Sequence, residues 1–230
     1  MAEEKARPWG QSAAYDELLA ATEKARLAYF RTLGTPDGDV WGPIVNPIFQ
    51  GGPAWPTRPG WQRIRNGEQT LIVSSGLSDP LAHEEGPNVG YALETLVATA
   101  EPVPDYLPGS WLWDLACTVS HHAAEDEQIN LRDAKYGLFL FGARMATDDY
   151  QKFTDDEGYV GFLLGMPIPG ASHTFALPAG EAVLITAKLL TRPEYEYAAA
   201  HGIEGIRRLG EQFTQDGSHY LSSLSRPSII

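Results

Sequence analysis

The chain has 230 residues, 43% of them hydrophobic and 20% charged, enough apolar surface for one large domain or two small ones and too much for a disordered segment. Its formal net charge of −13 argues against a nucleic-acid ligand and against an anionic membrane surface, since both are bound through Lys and Arg. The same charge would steer a basic protein partner into encounter.

Residues 1–10 begin Met1-Ala2-Glu3-Glu4-Lys5 and have no apolar core, and no later stretch is apolar enough to span a bilayer. A cytoplasmic chain is expected, with residues 1–10 as an extension ahead of one folded domain over 11–216. From Ser12 to Leu33 the pattern is helical, with Ser12 as N-cap, Gly34 as the stop and Leu18, Ala21, Ala25 and Ala28 on one stripe. Between Gly34 and Trp61, Pro and Gly recur among Trp41, Phe49, Trp55 and Trp61, which suits an ordered extended covering segment pinned by its aromatic side chains.

Strands are expected at Thr70–Ser74 and Tyr91–Thr99, the second with alternating faces. A second helix opens at Pro108-Gly109-Ser110 and carries the stripe Leu112, Leu115, Ala116 and Val119. Apolar runs at Tyr136–Phe141, Tyr159–Met166 and Ala182–Leu190 bring the strand count to about five. An acidic loop covers Asp148 to Glu157. Pro193 opens a third helix that Gly202 ends, and Ile203, Ile206, Leu209 and Phe213 mark a last one. Residues 217–230 read as a polar tail free to fray. A block of strands between terminal helices, without regular βαβ alternation, indicates an α+β single domain with a largely antiparallel or mixed central sheet flanked by helices.

The chain has neither a phosphate loop nor a dinucleotide fingerprint nor a G-x-S-x-G elbow, so no cofactor and no catalytic residue is assigned. The single cysteine, Cys117, cannot close an internal disulfide and is expected to act as a small buried hydrophobe. The sharpest chemical cluster is His121-His122-Ala123-Ala124-Glu125, where His121 and Glu125 lie one helical turn apart and could share a metal with His83 or His173. Against a metal-assisted hydrolase stands the simpler reading that these histidines end a helix ahead of a solvated Glu125-Asp126-Glu127 run. A third possibility is a structural protein that self-associates through the Gly34–Trp61 segment. Glu94 stands apart, because a carboxylate inside an alternating strand must either face solvent or be paired if buried.

Several segments, in order, resemble the suppressor of fused domain as it occurs in bacterial proteins. The helix into Leu33-Gly34-Thr35-Pro36-Asp37 is similar to the family's helix and glycine turn, and Thr70 to Asp79 to its strand ending in a small-Gly-aliphatic-Ser-Asp turn. Gly86-Pro87-Asn88-Val89-Gly90-Tyr91-Ala92-Leu93-Glu94 resembles the acidic-Gly-Pro lead into a strand bearing an aliphatic-glutamate pair. Trp111 to Ala116, Phe162 to Pro167 and Leu177 to Val183 resemble later segments.

The resemblance implies a non-catalytic protein-binding domain, the counterpart of the first of two domains that in animals clamp an extended peptide of Gli transcription factors. In bacteria it implies an immunity protein that binds and neutralises a toxin. Glu85 matches the acidic position that helps hold the animal peptide, whereas Leu81 stands where an aromatic is expected. Asp79, Glu84, Glu85 and Glu94 are the candidate protein-binding residues, acting through an acidic surface or an exposed strand edge.

Overall fold

In a computed structural model, residues 9–45, 47–126, 128–145 and 148–230 are described. The expected extension therefore lies outside them except for Trp9 and Gly10, as does Glu127 of the acidic run. Helix α1 (Ala13–Leu33) has the predicted ends: the Ser12 hydroxyl oxygen accepts the Tyr15 amide at 3.1 Å, and the chain turns at Gly34. Its buried face differs from the expected stripe and consists of Tyr15, Thr22, Arg26, Phe30 and Leu33. Two polar residues on that face hid its phase, and an internal carboxylate cluster accounts for one of them.

Strands β1 (Thr35–Trp41), β2 (Gly60–Asn66), β3 (Gln69–Ser75) and β4 (Leu93–Thr99) follow, then helices α2 (Trp111–Glu125) and α3 (Ile129–Tyr136). Strands β5 (Phe139–Arg144), β6 (Tyr159–Leu164), β7 (Thr174–Leu177) and β8 (Gly180–Leu189) lead to helix α4 (Arg192–Gln215). The strands form one mixed sheet in the order β1-β2-β3-β4-β8-β6-β5, with β7 on the first half of β8. Strands β4 and β8 run parallel, and the other pairings between these strands are antiparallel. Val183 is paired on both sides, with Leu93 and with Thr174, and Leu189 further along pairs with Phe162.

Strand alternation divides the core into two layers. Leu93 and Val97 of β4 and Ile185, Ala187 and Leu189 of β8 meet α2 and Ile129 of α3 on one face. Leu96, Ala98 and Leu184 meet Phe30 of α1 and Leu209 and Phe213 of α4 on the other. The result is a single α+β domain whose sheet is sandwiched between helices. The expected third and fourth helices follow one another without a loop and together make up α4, divided at the expected residue, where Gly202 leaves helical geometry at φ 56° and ψ −138°.

Three strands, β1, β2 and β7, were not legible. The sequence of β1, Thr-Pro-Asp-Gly-Asp-Val-Trp, contains the residues that depress strand propensity, and they are tolerated because β1 is an edge strand with a register shift between Pro36 and Val40. The expected covering segment therefore supplies the edge of the sheet. Its Trp55 and Trp61 are buried as predicted, but Phe49 is exposed.

The segment from Gly217, expected to fray, is tied down. The Ser222 amide donates to the Ala98 carbonyl at 2.7 Å, and Glu101 accepts the Ser223 and Ser225 hydroxyls and the Leu224 and Ser225 amides. Burial alone would raise the Glu101 carboxyl, but these hydrogen bonds outweigh it and hold it below its usual range. Arg226 grips the fully buried Glu194 carboxylate with both Nη atoms at 2.5 Å.

Lys188 lies beneath this strap, fully buried, donating to the Leu221 carbonyl at 2.5 Å and the Ser218 hydroxyl at 3.1 Å and standing 4.3 Å from the centre of the Phe213 ring. Burial, with repulsion from Arg226, lowers its pKa to about 7 from 10.5. Between those values the unfolded chain keeps a proton that the folded chain has released, so stability rises with pH across that window, by up to about 1.4 kcal/mol per unit. Urea midpoints for wild type and Lys188→Met at several pH values check this. The wild type is expected to gain on the variant as pH rises from 7 toward 10, and parallel curves would show that Lys188 carries its proton in both states.

Candidate functional site

The Glu94 side chain is fully buried at the start of β4 and organises the corner where β3 ends. Its Oε1 accepts the Gly76 amide at 3.1 Å, the Ser78 amide at 3.1 Å and the Ser78 hydroxyl at 2.6 Å, and its Oε2 accepts the Ser74 hydroxyl at 2.5 Å. Arg26 of α1 completes the cluster. Its Nη1 lies 2.5 Å from Asp79 Oδ1, 3.5 Å from Glu94 Oε1 and 3.2 Å from Ser78 Oγ, while Asp79 Oδ2 accepts the Thr57 hydroxyl.

Two carboxylates thus share one guanidinium. Burial pushes the Glu94 carboxyl up, and Arg26 and the serine hydroxyls pull against it. For Arg26, burial opposes the charge, but Glu94 and Asp79 outweigh it and keep the guanidinium protonated. The 76–79 turn is held from outside as well: Gly90, at φ 57°, packs so closely that a Cβ there would run into the Leu77 and Asp79 carbonyl oxygens.

Of the candidate binding residues, Asp79 and Glu94 are brought together, and Glu84 and Glu85 are not part of the cluster but lie exposed on the loop that follows. Glu94, having no surface, can bear on binding only through the turn and through Asp79. Asp79 and Arg26 lie at a groove of about 690 Å³ on the α1 face of the sheet edge. One wall is Leu19, Glu23 and Leu27 of α1; Val40, Gly60 and Gln62 of β1 and β2 and the 57–59 segment also line it.

Among the described residues β1 pairs with β2 alone, and no strand lies on its outer edge. Along this edge and just beyond it, large apolar side chains face solvent: Val40, Ile44 at 96% exposure, Val45, Ile48 and Phe49 at 82%. Tyr106 is also exposed and stands edge-on to Trp41 at 5.5 Å. Such a concentration marks an interaction surface more often than chance exposure.

The histidine cluster is dispersed. The His121 ring sits edge-on to Trp55 and Trp61, His122 stacks on Phe141 at 3.9 Å, and Glu125 is exposed. Burial lowers the pKa of both imidazoles. His83 is exposed, and His173 pairs with Asp133 at 2.6 Å. Among the described residues no group of three His, Cys, Asp or Glu side chains is gathered in a way that could hold a metal. The half-buried Cys117 packs against the α2 core, and burial pushes its thiol up.

No family model and no curated protein matches the chain. Among solved structures it is similar to one described as the Sufu-Fu complex crystal structure, with a TM-score of 0.50 and 16% sequence identity over 91% of each chain. The chain has a Sufu-like fold. At that identity the likeness extends to the fold alone, so the site rests on its own geometry.

The groove was not anticipated in the sequence, apart from Asp79. One signal was available: Thr22, Arg26 and Phe30 are spaced four apart, which places an arginine on the buried face of α1, where it must be paired. Among the described residues no helix is long and apolar enough to cross a membrane.

Proposed function

We propose that this Sufu-like domain belongs to the suppressor of fused family and is a non-catalytic binding module that holds a partner polypeptide at the α1–β1 groove. The observation that carries this is the set of exposed apolar side chains Val40, Ile44, Val45, Ile48 and Phe49 on and beyond a strand edge that is open among the described residues, with a groove of about 690 Å³ against the same strand. An edge strand offers main-chain pairing, and the apolar run offers anchors. The likeness to a structure described as that of a Sufu-Fu complex is consistent with such a role.

Peptides selected from a displayed random library against the wild-type chain test this. The Ile44→Ser/Phe49→Ser variant removes two side chains that are almost entirely exposed and should change stability by no more than about 0.5 kcal/mol. It is expected to bind the selected peptides at least about tenfold more weakly, a loss of about 1.4 kcal/mol. Unchanged binding would move the surface elsewhere.

In its more specific form the proposal makes the partner a basic toxin module that a cytoplasmic immunity protein neutralises. The net charge of −13 and the exposed carboxylates Glu84 and Glu85 support it. Co-expression with a toxin encoded beside the chain should give both protection and a stable complex, and the absence of both would end this form while leaving the binding role intact.

A further inference from the structure

Resting on the binding role above, we propose that the end of the groove at Arg26 takes the main chain of an extended partner segment that is uncharged there, with the guanidinium donating to a backbone carbonyl oxygen. Arg26 is only 4% exposed, yet it lines the groove. All of its hydrogen bonds and ion pairs use Nη1, which reaches Ser78, Asp79 and Glu94. Nε and Nη2 make no hydrogen bond among the described residues, and neither is sealed from solvent. A guanidinium has five N–H groups, so the three on these two nitrogens remain for an acceptor outside the fold.

Charge balance selects the kind of acceptor. The charged side chains lining the groove cancel, Glu23 and Asp79 against Arg26 and Arg58, although the chain as a whole is strongly acidic. A carboxylate approaching Arg26 would meet Asp79 and Glu94 on the same guanidinium, and an amine would meet Arg26 itself. A carbonyl oxygen accepts the free N–H groups without bringing in a charge that must be desolvated.

The surroundings suit an extended chain. Gly60 lets the neighbouring strands close up beside the groove, since a Cβ there would meet Val40 Cγ1 at 2.9 Å and the Ser75 carbonyl at 3.1 Å. The half-buried Leu19 and Leu27 and the exposed Val40 offer apolar contact to its side chains.

Calorimetry with the tightest peptide from the display selection tests the proposal, using Leu27→Glu, a wall substitution at a half-buried position, and Arg26→Lys, which keeps the cluster's charge but loses the fork. Both are expected to weaken binding tenfold or more, and the selected peptides should share an uncharged central stretch. Should Arg26→Lys fail to fold, Leu27→Glu alone decides. Peptides that bind Leu27→Glu as well as wild type, or that depend on a charged central residue, would overturn the proposal and leave the binding role standing. Failure to select any peptide would overturn both.

Discussion

Replacing Glu94 with alanine is expected to destabilise the chain by about 3–5 kcal/mol, more than any surface substitution. The carboxylate accepts four hydrogen bonds, from the Gly76 and Ser78 amides and the Ser74 and Ser78 hydroxyls, at a site with no access to water. Alanine leaves those donors unsatisfied and takes one of two anions from Arg26. Glu94→Gln keeps the shape and an acceptor oxygen, so its cost should be less than half as large. Urea unfolding of the two variants measures both effects. Equal and small losses would mean that the 76–79 turn is held by packing alone.

The second large effect is expected at the C-terminal strap. Arg226→Ala strands the Glu194 carboxylate, fully buried at the start of α4, leaving it hydrogen bonds from the Thr191 and Ile229 amides and no ion pair among the described residues. A buried charge deprived of its partner costs about 3–5 kcal/mol, and the strap should become open to protease from Ser218 onward. Adding Glu194→Gln to Arg226→Ala should recover part of that loss, because the orphaned charge goes with it. A double variant no better than the single one would show that the strap's packing, not the ion pair, sets the cost.

These two clusters also show what could and could not be read from the sequence. The ends of α1 were legible because Ser12 and Gly34 act locally, and β4 was legible from its alternation. The buried face of α1 was misread because Arg26 sits where an apolar residue is expected, and its justification, Asp79 and Glu94, is more than fifty residues away. Glu94 could be recognised as either paired or solvent-facing, but only the fold decides that it is paired.

β1 was missed for a related reason. Pro36 and Gly38 depress strand propensity, and only an edge position with a register shift makes them acceptable. The groove followed β1 out of sight, since its lining comes from α1, the sheet edge and the 57–59 segment together. The strap looked like a tail because its anchors, Glu101, Lys188 and Glu194, belong to distant parts of the chain.

Hydrogen–deuterium exchange of the chain, with and without a bound peptide, tests most directly whether the α1–β1 groove is where a partner is held. Slowed exchange is expected in β1 and in the 57–60 segment on binding, with α4 and β5 unchanged toward the opposite edge of the sheet. Protection confined to α4 and β5, with β1 unaffected, would contradict it.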